Sequence, residues 1–145
     1  MCLPSFKPNL NAEFINMFLR EWALQRGNVP LKSIAIVDEH PEQQFLYPEF
    51  KIAQRLFEQQ GFTAVIADAC ELEWVNGTLQ YHGQVIDLVY NRLTDFSLEK
   101  HENNALRQAY EKGAVVVTPN PHHHAIYADK RNFTILSKTG LLSFS

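Results

Sequence analysis

The chain has 145 residues, of which 46% are hydrophobic and 20% charged, with a formal net charge of −3. That is enough for one domain with a real core; it excludes a disordered chain, and with no long basic run a non-specific nucleic-acid or membrane surface is not expected. Cys2 and Cys70 are the only cysteines, so neither a disulfide framework nor a metal quartet can be built, and two lone thiols fit a reducing compartment.

The opening MCLPSFKPNLNAEF has no basic region followed by an apolar core, and no apolar run approaches the roughly 20 residues of a membrane helix. The chain is therefore read as cytoplasmic, and Asn76-Gly77-Thr78, which fits a glycosylation sequon, is read as a turn. Asn11 is a candidate helix cap, with Ile15, Phe18, Leu19 and Trp22 following on one face. Gly27 stops that helix and Pro30 lies beyond it, so residues 1–30 form an N-terminal helical extension. Residues 33–37 (SIAIV) lack polar alternation, as a strand covered on both faces should.

After the polar loop DEHPEQQ, a second helix is predicted over residues 48–60, burying Phe50, Ala53, Leu56 and Phe57 and ended by Gly61. Residues 63–67 (TAVIA) form the next buried strand. Leu72 and Trp74, then Leu79 and Tyr81, alternate with polar residues about Asn76-Gly77, a pair that tolerates positive φ; this predicts an inserted hairpin. Residues 85–90 (VIDLVY) return to the core pattern, broken by Asp87. A third helix is expected over residues 98–112, with Ala105, Leu106, Ala109 and Tyr110 inward and Gly113 as its stop. Residues 114–118 (AVVVT) are the fourth core strand, and residues 120–137 are expected to be helical.

Strands alternating with helices imply right-handed crossovers and a mainly parallel sheet. The predicted fold is a single α/β domain over residues 1–145: a Rossmann-like three-layer arrangement of about four core strands over residues 33–136, with an inserted β-hairpin.

Ligands of such sheets bind beyond the carboxyl ends of the strands. None of those loops carries the glycine fingerprint of a dinucleotide site, and no Gly-Lys-Ser/Thr sequence exists to make a P-loop. His122, His123 and His124 are adjacent, and adjacent side chains point about 100° apart on a helix or to opposite faces of a strand. They are read as a solvated first helical turn, and no metal site is assigned. Asn120 and Pro121 suit an N-cap and first helical position, whose free N–H groups favour an anion. Asn91-Arg92 follows the third core strand and would aim a guanidinium at the same rim, a fork that matches a carboxylate or phosphate. Spacing alone leaves open a structural pairing of Arg92 with Asp95 or Glu99. Asp129 also reads as a helix cap with Lys130 solvated, and the group Asp38-Glu39-His40 reads equally as acid–base machinery or a polar loop.

The strings IDLVYNRLTDF and GAVVVTPNPHHHAIYADKRNFTIL resemble the pre-ATP-grasp domain of circularly permuted ATP-grasp ligases, the group that includes glutathionylspermidine synthase-like proteins. The matching residues are Asp87, Tyr90 and Arg92, then Asn120, then Ala128, Asp129 and Lys130, and the resemblance spans residues 33–136. It implies ATP-dependent joining of a carboxylate to an amine. Arg92, with Asn91 and Asn120, would bind a small peptide or amino-acid-like substrate, and Asp129 and Lys130 would shape a domain junction. Only KTGLLSFS follows residue 137, so the expectation is a substrate domain that binds no cofactor alone and is inactive alone. ATP and magnesium would enter with ATP-binding lobes supplied in cis or in trans. The alternative expectation is a non-catalytic interaction module, docking through its strand-end loops or an apolar face at Trp22 or Trp74.

Overall fold

The computed structural model describes residues 3–95 and 97–119. Helix α1 (Leu3–Arg26) leads into strand β1 (Ser33–Asp38), helix α2 (Tyr47–Gln59) and strand β2 (Thr63–Asp68). Three short strands follow, β3 (Leu72–Val75), β4 (Thr78–Tyr81) and β5 (Gln84–Val85). Strand β6 (Leu88–Asn91), helix α3 (Asn104–Glu111) and strand β7 (Val116–Thr118) complete the described chain. The fold is α/β: β2-β1-β6-β7 form one parallel sheet and β3-β4-β5 a separate antiparallel one.

Both faces of the parallel sheet are covered, which is why β1 and β6 are apolar without alternation. On one face Ile34, Ile36, Leu88 and Tyr90 meet Ile15, Phe18 and Trp22 of α1 and Phe50, Ala53 and Phe57 of α2. On the other, Ala35, Val37, Val89 and Val117 meet Leu106 and Ala109 of α3 and Leu72 and Leu79 of the small sheet. The connection β1–α2–β2 moves outward one way and β6–α3–β7 the other, and their helices lie on opposite faces. Both crossovers therefore have the same hand. The small sheet stands where a helix would otherwise cover the passage from β2 to β6.

Several expectations change. Asn11 lies within α1 rather than capping it, because the helix continues upstream to Leu3. Trp22 is 7% exposed and donates its indole N–H to Val29 O at 2.6 Å, so the α1 face that bears it is core and not a docking surface. Trp74 packs half-buried against the second core face. Residues 85–90 are not one strand: Val85 belongs to β5 and Leu88 opens β6. Between them Asp87 accepts the Lys32 and Ser33 amides at 2.9 and 3.3 Å, fixing the start of β1. The third helix begins only at Asn104, after Leu98 takes φ 57° and residues His101–Asn103 make a 3-10 turn. The predicted hairpin forms at Asn76-Gly77, with φ 52° and 78°. A second turn of the same kind at His82-Gly83 (φ 49° and 84°) adds β5, making a three-stranded meander.

Candidate functional site

The chain passes from β1 outward to β2 and then returns past β1 to β6. The reversal lies between β1 and β6, and the crevice beyond the carboxyl ends of two such strands is where open parallel sheets bind ligands. Here Val37 pairs with Asn91, and the Arg92 N–H donates to Val37 O at 2.8 Å. Asp38 and Arg92 are thus lateral neighbours, one at the last residue of β1 and the other one residue beyond β6. By alternation both follow the face of Ile36 and Tyr90, whereas Asn91 follows the opposite face with Val37.

Packing from below fixes Arg92. Phe18 of α1 meets the Tyr90 ring edge-on at 4.9 Å and Phe14 meets it at 5.9 Å. The Arg92 guanidinium lies 5.6 Å from the centroid of that ring, a cation–π contact, and also hydrogen-bonds the Tyr90 phenol oxygen, so only its remaining N–H groups are left for a ligand. Burial pushes the Tyr90 phenol up, and the Arg92 charge and its hydrogen bond to the phenol offset part of that. The structural alternative for Arg92 is not the one built. Asp95 instead accepts the Lys100 amide at 2.8 Å and the Asn103 side-chain amide at 2.7 Å. Burial works against its charge, but these hydrogen bonds prevail and hold its carboxyl below the usual range. Among the described residues, Arg92 has no carboxylate within 4 Å.

Asp38 is 8% exposed, and its Oδ1 accepts the Glu39 amide at 2.7 Å. Burial raises its pKa to about 6; the Glu39 amide and the Arg92 charge act downward, and the charges of Glu39 and Asp68 upward. A carboxyl that changes charge near neutrality beside a guanidinium suits proton handling or cation recognition. Asn91 is 1% exposed; its Oδ1 accepts the Leu93 amide at 3.0 Å and turns the chain after β6, and its Nδ2 has no partner among the described residues.

Asp68, paired in register with Asp38, is committed to its own loop. Its Oδ1 accepts the Cys70 amide at 3.1 Å, and its Oδ2 accepts the His40 amide at 3.1 Å and lies 3.2 Å from His40 Nδ1. His40 holds φ 45° at the corner of the β1–α2 loop, and Glu39 reaches Lys100 at 3.6 Å. A cavity of about 210 Å³ opens beside this loop, lined among others by His40, Tyr47, Asp68, Glu71 and Tyr81. It falls below the usual size of a small-molecule pocket. Among the described residues, no group of three or more His, Cys, Asp and Glu could hold a metal ion, and no helix is long and apolar enough to cross a membrane.

The structure therefore brings Asn91 and Arg92 to the strand reversal, on opposite faces of β6. Asn120, Pro121, the histidines 122–124, Asp129 and Lys130, and the helix expected over residues 120–137, lie outside the described residues. Asp38 was legible only as one of the group Asp38-Glu39-His40, which reads equally as acid–base machinery or a polar loop. Its position at the last residue of a buried strand, with no glycine following, was the available signal. No protein-family model matches the chain, and no curated protein matches it.

Proposed function

We propose that this chain is the substrate-binding domain of an ATP-dependent carboxylate–amine ligase, Rossmann-like in architecture and pre-ATP-grasp in type. The observation that carries the reading is Arg92, held over Tyr90 at the strand reversal and without a carboxylate partner among the described residues. A guanidinium held in place by its ring contact and hydrogen bond to Tyr90, with no carboxylate on its remaining N–H groups among the described residues, binds a carboxylate at low ordering cost. The ligand is a small peptide or amino-acid-like molecule anchored by its carboxylate. ATP and magnesium belong to ATP-binding lobes supplied in cis or in trans, and the domain offers the substrate to them. Calorimetric titration of small peptides into the protein tests this: binding that disappears in Arg92→Ala supports the reading, and binding indifferent to that substitution contradicts it.

A second reading, a protein-interaction module, is favoured by Phe45. This side chain is 92% exposed in the β1–α2 loop, at the same end of the sheet, with Ile52 of α2 50% exposed. Aromatic side chains so placed anchor interfaces. Loss of a co-purifying partner on Phe45→Ser, with ligand binding intact, would identify that role.

A further inference from the structure

Two opposite charges end neighbouring strands without pairing with each other. Asp38 and Arg92 follow the same face of the sheet, yet no contact within 4 Å joins them. Asp38 is mostly buried as a residue and its Oδ1 is occupied by the Glu39 amide; its Oδ2 has no hydrogen-bond donor among the described residues and is not itself sealed from solvent. A carboxylate oxygen that is accessible at the rim and has no donor from the protein is open to one from a ligand. The neighbouring guanidinium does not approach to do so, because it is seated on Tyr90. What fits between them carries a donor cation on one side and an acceptor anion on the other.

We infer that the strand-reversal crevice recognises an α-amino-acid zwitterion, free or at the end of a short peptide, with Asp38 receiving its ammonium group and Arg92 its carboxylate. This rests on the carboxylate-anchoring role of Arg92 and adds the second half of the ligand. A plain carboxylate satisfies only Arg92 and leaves Asp38 as it was. An α-hydroxy acid offers a neutral donor, a weaker partner for a carboxylate than an ammonium. The charged groups facing Asp38 are Arg92 after β6, Asp68 at the end of β2 and Glu39 beside it. The two carboxylates favour a cation at this point and Arg92 opposes it, so the ammonium is accepted only when its own carboxylate engages Arg92.

NMR titration of the full chain with L-alanine, L-lactate and propionate tests the assignment. In the unmodified protein L-alanine should bind at least about ten-fold more tightly than either analogue at about pH 7.5, and that preference should shrink several-fold by about pH 5 as Asp38 takes up a proton. In Asp38→Asn, confirmed folded by its thermal transition, the preference should collapse and lose its pH dependence while propionate binding persists. Equal binding of all three ligands, each abolished by Arg92→Ala, would overturn the ammonium subsite and leave the carboxylate anchor standing. Binding of none of them, or binding untouched by Arg92→Ala, would remove the anchor and the zwitterion together. A preference for alanine retained in Asp38→Asn would overturn the role of Asp38.

Discussion

Arg92 is positioned by Tyr90: its guanidinium sits 5.6 Å from the ring centroid, and that ring is wedged against Phe18 at 4.9 Å. The charged rim is thereby coupled to the packing of α1 on the sheet. Arg92→Ala should cost only about 0.5–1 kcal/mol of stability, the worth of a partly exposed cation–π contact, while removing carboxylate binding. Arg92→Lys keeps the charge and loses the fork, so it should bind carboxylates weakly. Denaturant midpoints and ligand titrations on the same preparations separate the two effects.

Phe18→Ala removes the central ring of the cluster, which also touches Phe57 at 5.1 Å and 86°. Phe18 is 1% exposed, so a loss of roughly 3–5 kcal/mol is expected from transfer and cavity terms. Phe18→Leu should cost less, yet still weaken ligand binding because Tyr90 loses its edge contact. Urea unfolding and titration of the Leu variant check both parts.

Asp38 governs a pH dependence of stability. Its pKa is near 6 in the folded chain against an ordinary 3.8, so the folded state holds the extra proton between those values. Stability from this group is greatest below about pH 4 and falls as pH rises through about 6. Asp38→Asn removes the titration. The variant should match the unmodified protein at about pH 4 and exceed it by about 1–2 kcal/mol at about pH 7.5, after allowance for solvent screening. Urea midpoints at the two pH values give the answer.

The antiparallel sheet supplies a local test. Gly77 has φ 78° with nothing within 4 Å of where a Cβ would stand, so Gly77→Ala is penalised by conformation and not by a clash. A cost of about 1 kcal/mol is expected, with the parallel sheet unaffected. Hydrogen exchange should rise in Leu72–Val75 and Thr78–Tyr81 and stay unchanged in β1 and β6.

That hairpin was legible because Asn-Gly tolerates the backbone its turn requires, and the buried strands were legible because both faces of the sheet are covered. The second turn carried a weaker form of the same signal, a glycine after His82, and β5 was absorbed into the apolar run that follows. Leu98 at φ 57° had no signal at all: an aliphatic side chain seldom takes that conformation, and tertiary packing at 1% exposure imposes it. Arg92 was visible as a charge after a strand. Its relation to Asp38 was not, because the lateral pairing of β1 with β6 joins residues more than fifty apart in sequence.

Carboxylate binding at Arg92 is the claim on which the functional reading turns. The most direct measurement is a two-dimensional NMR titration of propionate into the unmodified protein and Arg92→Ala. The account predicts saturable shifts clustered at Asp38, Glu39, Asn91 and Arg92 that vanish in the variant. Shifts of equal size and affinity in both proteins, or shifts that avoid the ends of β1 and β6, would contradict it.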